Sequence, residues 1–232
     1  MLSMNGMILA AAGTAAILIV GEWLWQKRIL KGEFARKFVH ILTATFAAFW
    51  PLFISRTNIA LLSVIFIIAL IVVKELKIFN SIRSIKRVTF GEIWYAVGIS
   101  ACALLFKDNT IYAIAVLHMA LADGFAAVVG VGLAKKAKNF YFHKSRKSLA
   151  GTATFILISF SLNISYWLYF SHFSLSNSAI YLSPFLYSII CAGILGGVEV
   201  ISPKGSDNVI IPLLAGVLLW FPTMLVAGTL FF

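Results

Sequence analysis

The chain has 232 residues, of which 61% are hydrophobic and only 12% are charged. An ordinary globular domain has about 45–50% apolar and about 25% charged residues, so the composition excludes a water-soluble domain and a disordered chain. The net charge of +11 comes from 19 Lys and Arg against 8 Asp and Glu. In a membrane protein such an excess is typical of basic cytoplasmic loops, and we expect no nucleic-acid partner.

Eight apolar stretches follow one another along the chain. They cover residues 6–25, 38–54, 58–73, 90–106, 110–133, 150–170, 180–200 and 209–231. A helix needs about 20 apolar residues to cross a bilayer, and only short loops separate the stretches. The sequence therefore predicts an all-α, polytopic bundle of about eight transmembrane helices that forms a single domain over residues 1–232.

The segments between these stretches alternate in charge. Segments 26–37, 74–89 and 134–148 carry five, five and six basic residues, whereas the opposite side carries only Arg56 and Lys107. Basic loops stay on the cytoplasmic side of a membrane. We therefore expect these three loops in the cytoplasm and both termini outside, in a prokaryotic plasma membrane rather than an endoplasmic reticulum.

Asp123 lies deep in the fifth stretch, between Ala122 and Gly124. An ionised carboxylate at that depth costs several kcal/mol unless it is paired or bound to a metal, and its default interpretation is functional. A structural salt bridge to a neighbouring helix is the alternative. Gly124 and Gly130 beside it favour close helix packing, and they would also let a phosphate chain approach the backbone.

A basic segment follows and ends where the sixth helix begins. Ser148 is a plausible N-cap for that helix, and a helix N-terminus with hydroxyl groups nearby is a ready site for an anion. A basic loop that binds the anionic membrane surface is the alternative, above all for Lys135, Lys136 and Lys138. The residues for which we expect phosphate contact are Lys144, Arg146 and Lys147 in the segment, and Ser148, Gly151 and Thr152 at the helix start.

Glu199 ends the seventh stretch, and Asp207 and Asn208 open the eighth. Asp207 or Asn208 could be a simple N-cap. Two carboxylates and an amide around one turn are also hard ligands suited to Mg²⁺. Asp123 would supply a third carboxylate if the helices pack together.

Two further polar groups stand at helix starts. Arg36, Lys37 and His40 open the second stretch, and Glu92 opens the fourth. Basic side chains at such positions commonly extend toward the membrane surface. Glu92 is harder to explain in this way, because it lies at the edge of the hydrocarbon.

In this order the motifs resemble the integral-membrane lipid-alcohol kinases, which include dolichol kinase, phytol and farnesol kinase, and CTP-dependent diacylglycerol kinase. The matching residues are Arg36-Lys37 with His40, Gly91-Glu92, Ala122-Asp123-Gly124 with Ala127 and Gly130, Lys147 to Thr152, and Glu199 with Gly205, Asp207-Asn208 and Pro212. They cover about residues 36–212. Ala150 departs from the Glu of many phytol-kinase-like members and is more similar to the diacylglycerol kinase branch.

The resemblance implies transfer of the γ-phosphate of CTP, with Mg²⁺, to a lipid alcohol at the cytoplasmic membrane interface. The alcohol would be a polyprenol such as dolichol, phytol or diacylglycerol. It implies Asp123, Asp207 and His40 as catalytic residues, any of which could accept the proton, and Asp123, Asp207 and Glu199 as metal ligands. The resemblance extends phosphate binding to Arg36, Lys37, Gly124, Gly130 and Asn208, and it includes Glu92 in the site.

Two alternatives remain at this point. The Asp123 and Lys147 regions also resemble phosphatidate cytidylyltransferases, which use CTP to make a CDP-lipid. A transporter for lipids or small molecules could also use one buried carboxylate, although such proteins often consist of repeated halves and no repeat is visible here. The oligomeric state stays open.

Overall fold

The computed structural model describes residues 2–76, 91–133, 138–142, 145–174, 184–202 and 205–226. These residues form eight long helices and one two-stranded hairpin, which confirms the predicted all-α class. The helices are α1 (Leu2–Gln26), α2 (Gly32–Ala48), α3 (Arg56–Glu75), α4 (Gly91–Leu105), α5 (Asn109–Gly132), α6 (Leu149–Ser174), α7 (Pro184–Ile201) and α8 (Asp207–Val226).

Four of these helices, α1, α5, α6 and α7, are long and apolar enough to cross a membrane. Helices α3, α4 and α8 carry shorter apolar stretches, Arg56–Val72, Gly91–Leu105 and Asp207–Thr223. Large apolar side chains such as Ile68, Leu157 and Phe221 are exposed on the outside of the bundle, as lipid-facing residues are. A helical membrane bundle is thus confirmed, while the count of eight spans and the orientation stay predictions.

Helix α2 begins and ends earlier than its apolar stretch indicated. The prediction was residues 38–54, but the helix runs from Gly32 to Ala48 and a 3₁₀ turn, Trp50–Leu52, follows it. Pro51 cannot continue an α-helix because it lacks the N–H group. The first turns of α2 are polar in sequence, and Lys37 within them is buried inside the protein instead of facing water.

Helix α5 contains a wider π turn over His118–Asp123, between α-helical parts Asn109–Leu117 and Gly124–Gly132. At its start the Asp108 carboxylate accepts hydrogen bonds from the backbone N–H groups of Thr110 (2.7 Å) and Ile111 (2.9 Å), as an N-cap does. π turns within α-helices occur frequently at functional sites. Nothing in the apolar pattern of the stretch predicted it.

The segment before α6 forms a hairpin, although the sequence indicated a loop. Strands β1 (Asn139–Phe142) and β2 (Ser145–Ser148) pair antiparallel, with Phe140 opposite Lys147. Aromatic residues favour strands, and Phe140, Tyr141 and Phe142 supply them. The Leu149 N–H donates to the Lys138 carbonyl at 3.1 Å, so the hairpin is tied to the start of α6.

Close backbone contacts bring the starts of α4 and α8 together. A Cβ on Gly98 would lie 2.2 Å from the carbonyl oxygen of Asn208, so only glycine permits this packing. Gly205 has a φ of +91°, and a Cβ there would lie 2.8 Å from the Cα of Gly91. The turn before α8 therefore rests directly on the first residue of α4.

Candidate functional site

Asp123 and Lys37 form a buried ion pair between α5 and α2. The Lys37 ammonium donates to Asp123 Oδ2, and the two residues are only 4% and 7% exposed. Removing either partner would leave an uncompensated buried charge, which is strongly destabilising. The salt-bridge alternative for Asp123 is therefore realised, but the cluster around the pair extends well beyond it.

His40 completes this cluster from the next turn of α2. Its Nε2 lies 3.1 Å from the Met119 carbonyl oxygen and 3.6 Å from Asp123 Oδ2. Because a carbonyl can only accept, Nε2 carries the proton and Nδ1 has a free lone pair. Among the described residues Nδ1 has no hydrogen-bond partner, so this nitrogen can accept a proton from outside.

A second ion pair joins the hairpin to the end of α7. The Lys147 ammonium donates to Glu199 Oε1 and to the Glu199 carbonyl oxygen at 2.7 Å. The second carboxylate oxygen, Glu199 Oε2, is buried without a hydrogen-bond partner in the part of the chain that the structure describes. A buried acceptor without a donor is costly, so this oxygen is available to a ligand.

Asp207 and Asn208 open α8 beside both ion pairs. Asp207 forms no ion pair with any described residue, and the charges of Asp123, Lys37 and Lys147 all act on it. The Asn208 side-chain amide donates to the Gly91 carbonyl at 2.9 Å, whereas its Oδ1 is buried and has no partner within the described ranges. The start of α8 thus presents a carboxylate and an unsatisfied amide oxygen.

The predicted N-cap at Ser148 is confirmed, because its hydroxyl oxygen accepts the Gly151 N–H at 3.0 Å. Gly151 itself packs on α5, and a Cβ there would lie 2.8 Å from the Ala126 carbonyl oxygen and 3.5 Å from the Cα of Gly130. A Cβ on Gly124 would lie 2.3 Å from the Ile41 side chain. The structure therefore gives these three glycines a packing role, and their contact with phosphate stays a prediction.

Thr152 lies half-buried in the first turn of α6, and Lys138 precedes the hairpin. Lys144 lies outside the described residues, as does the side chain of Arg146. The phosphate contacts predicted for Lys144 and Arg146 therefore stay predictions.

Arg36 and Glu92 line one end of a largely apolar cavity between α1, α2, α3 and α4, and we call this charged end the mouth. Arg36 pairs with Glu33 on its own helix, and its Nε lies 3.3 Å from Glu33 Oε2. The charge of Glu92 also acts on Arg36. His40 and Asn208 line the same cavity, and His40 Nε2 lies 3.6 Å from Asp123 Oδ2 of the first ion pair.

The structure thus brings predicted residues from α2, α4, α5, α7, α8 and the hairpin to one end of the bundle. Within the described residues, no three His, Cys, Asp or Glu side chains are grouped closely enough to hold a metal ion. Two of the three expected ligands, Asp123 and Glu199, are each neutralised by a lysine. The metal ligands stay a prediction.

Sequence reasoning missed the cavity and its aromatic lining. The Tyr95 hydroxyl lies 2.7 Å from Thr43 Oγ1, and the Tyr95 ring lies 4.9 Å from the ring of His40. A signal was present, because Arg36, His40, Thr43 and Ala47 recur at the spacing of one helical face. The apolar end of that face was interpreted only as part of a membrane span.

Comparison with curated proteins identifies similar chains that are named as kinases. A "Phytol kinase" of Synechocystis sp. is 27% identical over 228 residues, which cover 95% of this chain and 92% of that protein. A "Probable phytol kinase, chloroplastic" of Triticum aestivum is 26% identical over 97% of this chain and 76% of its own length. A protein of the same name from Zea mays is 27% identical over 71% of this chain, and the match spans only 58% of the maize protein.

No protein-family profile matches the chain, and no solved structure does. The curated names agree with one another, and the matches extend over most of the chain. The resemblance to the lipid-alcohol kinases that the motifs indicated is therefore confirmed, and the names support a lipid kinase.

Proposed function

We propose that this chain is a membrane lipid kinase that transfers the γ-phosphate of CTP to the hydroxyl of an isoprenoid alcohol of the phytol type. The observation that carries the proposal is that His40, which lies 3.6 Å from Asp123 of the Lys37–Asp123 ion pair, also lines an apolar cavity. A charged cluster alone would suit many reactions. A charged cluster that opens onto an apolar cavity suits an acceptor with one polar end.

The donor phosphates need cations and hydrogen-bond donors, because phosphoryl transfer depends more on positioning and charge neutralisation than on covalent chemistry. Lys147 and the first turn of α6, which Ser148 caps, provide both on one side of the cluster. Helix N-termini favour anions through their free N–H groups and the helix dipole. In the proposal Lys147 exchanges part of its contact with Glu199 for a phosphate oxygen.

The proposal includes an Mg²⁺ ion that arrives with the nucleotide. Mg²⁺ is commonly held by one or two carboxylates together with substrate phosphates, not by an all-protein cage. The oxygens available here are the carboxylate of Asp207 and the unpartnered Glu199 Oε2 and Asn208 Oδ1. When bound, the ion would neutralise charge that develops on the phosphates.

We assign the role of proton acceptor to His40. The alcohol oxygen forms the new bond to the γ-phosphorus, the bond from that phosphorus to the β,γ-bridging oxygen breaks, and CDP leaves. The hydroxyl proton passes to His40 Nδ1. Asp123 and the Met119 carbonyl hold the opposite ring edge, which orients the imidazole.

The test uses purified protein in lipid nanodiscs with phytol and Mg²⁺, and with γ-labelled CTP or γ-labelled ATP in parallel. We expect the label to appear in phytyl phosphate with CTP and to be much weaker with ATP. Label from ATP alone would overturn the choice of donor. A CDP-lipid formed from α-labelled CTP and phosphatidic acid, without phytyl phosphate, would replace the kinase by a cytidylyltransferase.

A matched pair of variants shows whether the predicted site performs the reaction. Asp123→Asn removes the charge at the centre of the cluster and should abolish label transfer. Asp108→Asn makes the same change at the other end of α5, where asparagine is an equally good N-cap, and should retain activity. Full activity of Asp123→Asn would show that the predicted site does not perform the reaction, but it would not contradict the proposal that the protein is a kinase.

A further inference from the structure

The cavity between α1 and α4 runs along one face of α2. It begins at Arg36, passes Val39, His40 and Thr43, and reaches Ala47. Arg36 and Ala47 are eleven residues apart, which is about 16–17 Å along a helix at about 1.5 Å per residue. This length is roughly half of the ~30 Å hydrocarbon core of a bilayer. The cavity is therefore an elongated pocket, which we call the slot.

The walls of the slot offer almost no free polar group, although several hydroxyl side chains line it. Thr14 donates to the Ala10 carbonyl at 2.8 Å, Thr43 to the Val39 carbonyl at 2.8 Å, and Ser63 to the Ile59 carbonyl at 2.9 Å. The Tyr95 hydroxyl donates to Thr43 Oγ1, because the Thr43 hydrogen is already in use. These hydroxyls are satisfied by the protein itself, so the walls suit a hydrocarbon occupant.

The far end of the slot is closed by aromatic rings. Trp50 is 2% exposed, and its ring stacks on Phe66 of α3 with 6.1 Å between ring centroids. Phe46 packs edge-on against Trp50 at 6.1 Å. Trp50 is the first residue of the 3₁₀ turn, Trp50–Leu52, that contains Pro51. Its indole N–H, which has no acceptor among the described residues, is the one polar exception at this end.

We infer that this slot binds the hydrocarbon tail of the acceptor alcohol, and that Trp50 and Phe66 form the stop that limits tail length. The inference rests on the proposed kinase activity. It adds the position of the tail and the residues that select the tail length. The hydroxyl end meets His40 at the charged mouth, and the tail extends toward Trp50. Alcohols of phytol length fit the slot, whereas a long polyprenol meets the aromatic stop.

The experiment measures kcat/KM for farnesol, geranylgeraniol, phytol and solanesol in wild type and in variants of the stop. Trp50→Ala and Phe66→Ala lengthen the slot, and we expect each to raise solanesol use relative to phytol by about tenfold, as changes in hydrophobic pockets do. Trp23→Ala removes an exposed tryptophan of α1 and serves as the matched control. It should leave the length profile unchanged.

Ala47→Leu tests the same slot in the opposite direction, and it decides the matter if the two enlarging variants fail to fold. An added side chain at this buried position should reduce phytol use relative to farnesol. A length profile that all slot variants share with wild type would overturn the inference. If wild type phosphorylates none of the alcohols, the proposed function fails instead.

A second measurement does not depend on turnover. A phytol analogue with a photoreactive diazirine at the tail end should label the segment that contains Trp50 and Phe66, and excess phytol should compete with it. Labelling confined to α6, α7 or α8 would place the tail elsewhere and overturn the inference.

Discussion

His40 and His118 are both buried in the helical bundle, but they use their ring nitrogens in opposite ways. His40 holds its proton on Nε2 against the Met119 carbonyl and leaves Nδ1 without a partner among the described residues. His118 donates from Nδ1 to the Ile114 carbonyl at 2.8 Å, and its Nε2 accepts from the Asn163 amide at 3.4 Å. His118 has no nitrogen left for chemistry, whereas His40 has one.

The surroundings of His40 and His118 differ as well. His40 lies beside an ion pair and lines the slot, while His118 is 0% exposed and packs against Asn163, which itself donates to the Ser159 carbonyl at 2.8 Å. Burial of a polar side chain in a membrane bundle therefore does not by itself mark a functional site. A free lone pair, a nearby charge and access to a cavity together do so.

The largest expected effect separates catalysis from folding at the charged cluster. Asp123→Asn leaves Lys37 buried without its counter-ion, so it should lose activity and also about 3–5 kcal/mol of stability. The double variant Lys37→Met with Asp123→Leu removes both charges and should recover most of that stability but no activity. Thermal unfolding in detergent and the label-transfer assay measure the two quantities on the same preparations.

An active double variant would show that the ion pair has only a structural role. The charges beside His40 would then no longer distinguish its surroundings from those of His118. Asp108→Asn again provides the control, because its carboxylate caps α5 at the opposite end.

The next effect compares the two histidines directly. Glutamine can still donate to the Met119 carbonyl but cannot accept a proton as imidazole does. His40→Gln should therefore lower kcat by about 10²–10⁴-fold, the usual contribution of a general base, with little change in the KM for phytol. His118→Gln should leave kcat close to the wild-type value, because His118 does not line the slot. Equal losses of kcat in both variants would contradict the assignment of the proton to His40.

A smaller effect is expected at the second ion pair. Lys147→Met should raise the KM for CTP by about tenfold to a hundredfold, because hydrogen bonds to charged groups contribute about 1.5–3 kcal/mol. Lys147→Arg keeps the charge and should recover part of the affinity, and Lys107→Met, on the other predicted side of the membrane, should have no effect. An unchanged KM in Lys147→Met would remove this lysine from the nucleotide site.

Much of this arrangement was predictable because membrane proteins rarely bury charge without a reason. Asp123 is a charge deep in an apolar stretch and Glu199 ends another, and the structure pairs each of them with a lysine at one end of the bundle. Lys37 gave no such signal, because a basic residue at a helix start is expected to extend toward the membrane surface. The pairing itself was not predictable. Which lysine meets which carboxylate depends on helix packing, and that packing is set by contacts such as Gly98 with the Asn208 backbone.

Features that depend on backbone detail escaped sequence analysis. The π turn at His118–Asp123 has no signature in an apolar stretch. The slot consists of residues from α1 to α4 together with Asn208 of α8 and Trp50 of the 3₁₀ turn, and no single helix indicates it. The hairpin was missed because the six basic residues of its segment outweighed the aromatic run at Phe140–Phe142.

The smallest effect is expected near His118, the buried histidine that we do not place in the site. Asn163→Leu keeps the side-chain size but removes the amide that donates to His118 and to the Ser159 carbonyl. Polar contacts between membrane helices average about 0.6 kcal/mol and reach about 1.7 kcal/mol, so we expect a stability loss within that range. Phytol phosphorylation should stay at the wild-type rate, because neither Asn163 nor His118 lines the slot. A large loss of activity with intact stability would instead show that the His118–Asn163 pair communicates with Asp123 through the π turn, which contains both His118 and Asp123.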